Sequence, residues 1–148
     1  MRKKNSPELS LAVQYGCTDA QLPDRSQVRR WVKAAQETSA QLAVRFVDAK
    51  EGRTLNRDFR GKDYATNVLT FVYETQPVLG DLVICTAVVR REAKEQGKPF
   101  GAHLAHMVVH GMLHLQGYDH ETGAADAARM EAREREVLAR FGIPDPYG

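Results

Sequence analysis

The chain has 148 residues, room for one ordinary domain with a real core, and its 43% hydrophobic and 27% charged content fits a folded globular protein. A formal net charge of +2 excludes a bulk polycation, and no apolar run reaches the length needed to span a membrane. The start, Met1-Arg2-Lys3-Lys4-Asn5-Ser6-Pro7, carries no signal-peptide pattern, and Cys17 and Cys85 lie outside any metal-ligand spacing, so two reduced thiols in a cytoplasmic protein are expected.

Leu9 to Tyr15 alternates Leu9, Leu11, Val13 and Tyr15 with smaller or polar residues, the pattern of a half-buried strand. Pro23-Asp24 opens a helix with Asp24 or Ser26 as N-cap, and Val28, Trp31, Val32 and Ala35 form its apolar stripe. That phase makes Trp31 a core residue rather than a stacking platform. Gln41 to Asp48 is a second strand, and Asp48 to Asp58 a short helix anchored by Leu55. Phe59-Arg60-Gly61-Lys62-Asp63 reads as a charged turn, Thr66 to Glu74 as a third strand, and Leu82 to Cys85 as a fourth, after Gly80-Asp81. Thr86 to Gln96 is a helix capped by Thr86 and ended by Gly97, and Pro99 starts the next. That next helix is apolar almost all round, with Leu104, Val108, Val109, Met112 and Leu113, so it is expected at the centre. Thr122 to Phe141 is a last amphipathic helix, with Met130, Val137, Leu138 and Phe141 inward.

The order strand, helix, strand, helix, strand, strand and three helices predicts an α+β fold: a four-stranded mixed sheet packed with about five helices, in one domain over residues 1–148. Charge is unevenly spread. Residues 25–62 hold ten Lys or Arg against four Asp or Glu, and residues 63–148 hold eight against twelve. Such a basic region suits local phosphate contact, although ordinary solvated helix faces explain most runs of this kind.

The central helix carries the chemistry. His103, His106, His110 and His114 are its polar exceptions, and at 100° per residue they fall within about 80° of one another. His110 and His114, at i and i+4, share a face; Gly117 suits a left-handed stop, after which the chain can return His120 to the same spot. Three imidazoles with an open fourth position make a catalytic zinc site, and histidines at one, five and eleven with glycine at eight match the metzincin spacing. The glutamate that serves a peptidase as general base is absent, because Gly111 follows His110. Ligand geometry of a metalloprotease without its proton-transfer group points to another hydrolysis.

The string His110-Gly-Met-Leu-His114-Leu-Gln-Gly-Tyr-Asp-His120 resembles the bacterial YbeY family of metal-dependent endoribonucleases. Leu55-Asn56, Arg60-Gly61-Lys62-Asp63, Thr66-Asn67-Val68-Leu69, Gly80-Asp81-Leu82 and Asp145-Pro146-Tyr147 resemble it too, in the same order. Ala65 and Val72 depart from the family, standing where prolines are expected beside the third strand. The resemblance implies one Zn²⁺ per chain, held by His110, His114 and His120, with Arg60 in the cleft on a substrate phosphate and Lys62 nearby. It further implies action on single-stranded RNA, maturation of ribosomal RNA at the small-subunit 3′ end, ribosome quality control, and contact with the small subunit and assembly proteins including the GTPase Era. No membrane and no DNA are expected as partners, and the cytoplasm is the expected site.

Under this reading Arg60 and His114 are the catalytic positions, and Arg60 and Lys62 bind substrate. His106 or Asp119 assists the proton chemistry, or Asp119 fixes a ligand imidazole; a plain cap or core hydrogen bond is the structural alternative for either. Arg60 offers a planar fork for two phosphate oxygens, but the residues alone do not single it out from Arg57 or Lys62. Two other functions stay open at this point: a zinc hydrolase of another class, and a ribosome-associated module whose metal is structural.

Overall fold

The structure is a computed structural model that describes residues 7–148. The reading of Met1 to Ser6 as free of a targeting signal falls outside the described residues. Strand β1 (Leu9–Tyr15) turns Leu9, Leu11, Val13 and Tyr15 into the core, as its alternation requires. Helix α1 (Arg25–Ala35) starts where the Asp24 carboxylate accepts the Gln27 N–H at 2.8 Å, and it buries Val28, Trp31, Val32 and Ala35. Strand β2 (Ala40–Val47) follows, then helix α2 (Ala49–Arg60), opened by an Asp48 cap on the Glu51 N–H. Strands β3 (Val68–Thr75) and β4 (Val78–Cys85) form a hairpin. Helices α3 (Thr86–Gln96), α4 (Phe100–Leu115) and α5 (Ala124–Ala139) complete the fold.

The sheet order is β1-β2-β4-β3, with β1, β2 and β4 parallel and β3 antiparallel to β4. This is the expected mixed four-stranded sheet with five helices. One face presents Val13, Leu42, Val44, Phe46, Leu82 and Ile84 to α1 and α4. The other face is covered in part by α2, where Leu55 packs with Val47, Leu69, Val83 and Cys85. Helix α4 is the innermost helix: eleven of its sixteen residues are buried, and it touches α1, α3, α5, β3 and β4. Among the described residues no helix is long and apolar enough to cross a membrane.

Three boundaries differ from the sequence reading in ways that matter to the site. Helix α2 runs on to Arg60, so that arginine is the last helical residue rather than part of a turn. Strand β4 begins at Val78, and Gly80 sits inside it, because a Cβ there would stand 2.5 Å from the Phe71 carbonyl oxygen on the paired strand. Thr86 is the first residue of α3 and not its cap; its hydroxyl donates to the Val47 carbonyl at 3.3 Å and ties α3 to β2.

Candidate metal centre and RNA cleft

The C-terminal half of α4, the end of α2 and the start of β3 meet around a cleft of about 380 Å³. His106, His110 and His114 enter it from α4, His120 from the following loop, and Arg60 from α2. Five residues singled out in the sequence therefore share one space. Lys62 does not: it is exposed and lies outside the cleft wall.

The loop between α4 and His120 is built to turn sharply and stay put. Gly117 has φ 103°, which a side chain would strain. The Tyr118 N–H donates to the Leu113 carbonyl at 3.1 Å, closing the helix end. Gln116 fastens this end to the end of α1: its amide donates to the Ala35 carbonyl at 2.8 Å, and its side-chain oxygen accepts the Glu37 N–H at 2.6 Å. Asp119 accepts the Glu121 N–H at 2.8 Å and so shapes the turn that carries His120. Among the described residues it makes no hydrogen bond to an imidazole.

The hydrogen bonds fix the tautomers of two histidines. His114 Nδ1 lies 3.0 Å from the Tyr118 carbonyl oxygen, which can only accept; Nδ1 therefore carries the proton and Nε2 is left with a free lone pair. His110 Nδ1 lies 2.6 Å from Glu134 Oε1 and donates to it, which frees Nε2 in the same way. The His120 ring is half exposed, with its centroid 5.2 Å from that of His110, and among the described residues its nitrogens make no hydrogen bond.

Glu134 was not singled out by the sequence reading. It is fully buried on α5 and accepts from His110 and from the Tyr147 hydroxyl, with His106 Nε2 3.4 Å from its Oε1. Burial pushes its carboxyl up, but the neighbouring His106 and His110 imidazoles and the Tyr147 hydroxyl outweigh this and hold it down at about 2. Burial and the bond to Glu134 together push the Tyr147 hydroxyl well above its ordinary range. A signal for Glu134 was present in the sequence: it falls in phase with Met130, Val137 and Leu138, so a carboxylate occupies the apolar stripe of α5.

His106, His110 and Glu134 each place one ligand-type atom within 4.8 Å of the others, a group able to hold a metal ion. A second hydrogen-bonded chain, partly buried, lies beside it. His103 Nε2 is 3.0 Å from Glu92 Oε1, and the same carboxylate accepts from Asn67 Nδ2 at 3.1 Å in the cleft wall. Burial pushes the His103 imidazole down, and the Glu92 contact only partly restores it.

Comparison with known proteins shows the family. The family model described as endoribonuclease YbeY matches residues 18–142. A protein named endoribonuclease YbeY from Thiobacillus denitrificans is 61% identical over 145 residues, covering 96% of this chain and 98% of that one. Another of that name from Paraburkholderia phymatum is 57% identical over 150 residues, covering 96% and 97%. The solution structure of a protein from Thermotoga maritima superposes with a TM-score of 0.60 at 27% identity, over 89% of this chain and 91% of that one. With the family model spanning most of the sequence and relatives of this identity aligned along nearly its whole length, the chain belongs to the endoribonuclease YbeY family.

Proposed function

We propose that this single domain is a zinc-dependent endoribonuclease that cuts single-stranded RNA in the cytoplasm, acting in ribosomal RNA maturation at the small-subunit 3′ end and in ribosome quality control. The observation that carries the reading is the pair of fixed tautomers. His110 and His114 spend their Nδ1 protons on Glu134 and Tyr118, so each ring offers Nε2 as a ligand in the cleft that also holds His120 and Arg60. The ligands are then His110, His114 and His120, three imidazoles that leave a coordination position open.

The group formed by His106, His110 and Glu134 has its ligand-type atoms within 4.8 Å of one another, but two of these atoms are already engaged with each other. Ligands of one tetrahedral zinc, each 2.0–2.1 Å from the ion, stand roughly 3.3 Å apart. His110 Nδ1 and Glu134 Oε1 are 2.6 Å apart, a direct charge-assisted hydrogen bond. Glu134 suits the role of holding a ligand from behind, which the sequence reading gave to Asp119. Three neutral imidazoles and an open position favour zinc, although imidazole also suits other divalent ions.

A zinc ion held there would supply a Lewis acid and a lowered water pKa, which a phosphodiester hydrolysis needs at neutral pH. The chain's own residues do the rest. Arg60, at the C-terminal end of α2, presents a planar fork to two non-bridging phosphate oxygens and places the scissile phosphate against the histidines. Glu134 and the Tyr118 carbonyl keep His110 and His114 in one tautomer through the reaction. Lys62, outside the cleft, meets the RNA backbone at a neighbouring phosphate. The small ribosomal subunit and its assembly proteins, Era included, are the expected setting of the reaction.

The test is cleavage of a single-stranded RNA carrying the small-subunit ribosomal 3′ end, by wild type, chelated, zinc-restored and His114→Ala protein. Cleavage lost with the metal, regained with zinc and absent in His114→Ala is the expected result. Equal cleavage by all four samples, or none by folded zinc-loaded wild type, contradicts the proposal.

A further inference from the structure

We infer that Tyr147, the last but one residue of the sequence and the end of its Asp145-Pro146-Tyr147 string, is a positioning residue for the ligand His110, acting through Glu134, so that the C-terminal tail is part of the metal centre. The inference rests on the reading of His110 as a ligand.

The atoms run in one line. Tyr147 Oη donates to Glu134 Oε2, and Glu134 Oε1 accepts from His110 Nδ1 at 2.6 Å. A carboxylate has two oxygens and rotates about its last bond. With Oε2 held by the phenol, Oε1 stays aimed at the imidazole. Glu134 is fully buried, so water does not take over the second oxygen if the phenol is removed. His106 is a weaker substitute, since its Nε2 stands 3.4 Å from both Glu134 and the phenol oxygen.

The tail is fastened as a positioning element has to be. The Lys98 ammonium donates to the Pro146 carbonyl at 2.8 Å. Asp145 accepts from the Arg135 guanidinium and from the Tyr147 N–H, each at 2.8 Å. The Tyr147 ring packs edge-on against His106 with centroids 5.5 Å apart, and the Arg135 guanidinium lies 5.5 Å from its centroid. These contacts pin the ring from α4, α5 and the α3–α4 connection, while the tyrosine itself forms part of the cleft wall. Partners that orient a metal-bound imidazole typically change metal affinity roughly 10- to 100-fold when removed.

The experiment measures zinc affinity by competition with a chromophoric chelator, for wild type, Tyr147→Phe, Asp145→Ala and His114→Ala. Thermal unfolding of each chelated protein is recorded alongside, with visible spectra of the cobalt(II)-loaded forms. Tyr147→Phe keeps the ring contacts and removes only the hydroxyl. It is expected to weaken zinc binding roughly tenfold or more, to move the cobalt ligand-field bands, and to leave the chelated protein's unfolding temperature within a few degrees of wild type. Asp145→Ala, which loosens the tail without touching Glu134, is expected to weaken zinc binding by a smaller factor and decides the matter if Tyr147→Phe does not fold. Unchanged affinity and cobalt spectrum in both variants, or a lowered unfolding temperature with unchanged affinity, overturns the inference. Full zinc affinity in His114→Ala would instead overturn the ligand assignment itself, whatever the tail variants do.

Discussion

Gly111 lies against Leu82 so closely that a Cβ on it would stand 2.1 Å from Leu82 Cδ1 and 3.2 Å from its Cγ. Leu82 is fully buried in β4, so the helix that carries the histidines rests with its backbone on the sheet at this point. The same contact explains the glutamate missing after His110. In a peptidase that residue projects into the active site, whereas here the position faces the core and has no room for a side chain.

Gly111→Ala is therefore expected to destabilise the protein. Overpacking a tight core costs about 1–3 kcal/mol, and alanine's better helix propensity offsets only about 1 kcal/mol of it. Chemical denaturation of the chelated protein checks this, and a variant as stable as wild type contradicts it. Gly111→Glu recreates the peptidase motif on paper and is expected to yield an unfolded or insoluble chain without peptidase activity.

Arg60 ends α2 in the cleft wall and, among the described residues, is the one arginine there. Arg60→Glu is expected to lower RNA cleavage at least about 100-fold while the protein keeps its zinc, since the lost group acts on substrate phosphate and not on the ion. Arg60→Lys keeps the charge but loses the fork, and should fall between. Cleavage rates read beside metal content by elemental analysis decide this; zinc loss in Arg60→Glu contradicts it.

Glu134 is fully buried and accepts two side-chain donors, from His110 and Tyr147, so Glu134→Gln leaves them poorly matched. A loss on the order of 3 kcal/mol in the chelated protein is expected. The sign of its pH dependence follows from the lowered carboxyl. Its contribution is complete above the unfolded value of 4.5 and is lost as pH falls from there toward the folded value of about 2. Acid titration of stability should show this loss in wild type and not in Glu134→Gln.

His103 predicts a second dependence at milder pH. Burial lowers its imidazole below the ordinary 6.5, so the unfolded chain takes up a proton before the folded one does. Its neutral form adds stability that is complete above 6.5 and fades as pH falls through the folded value. One such group contributes a slope of at most about 1.4 kcal/mol per pH unit. Urea midpoints of chelated wild type should therefore drop more steeply between pH 7.5 and 5 than those of His103→Gln, and parallel slopes contradict this.

Much of the site was legible in the sequence because one helix carries it. The four histidines of α4 share a face by the helical period, and an otherwise apolar helix must be central, as α4 is. Gly117 and the Asp24 cap were readable for the same local reasons. What escaped depends on contacts distant along the chain. Gly80 looks like a turn residue until Phe71 is known to lie across from it. Glu134 is an ordinary helical glutamate until α5 is docked with that face on α4. Tyr147 reaches Glu134 only because the tail folds back over α5, which no periodicity encodes. Asp119, read as an imidazole partner or proton-transfer group, accepts the Glu121 N–H and so shapes the turn that carries His120.

The most direct measurement is anomalous diffraction at the zinc edge from crystals of the zinc-loaded protein. The account predicts one ion per chain, 2.0–2.1 Å from Nε2 of His110, His114 and His120, with an open position facing Arg60. An ion seated instead between His106, His110 and Glu134 would contradict it.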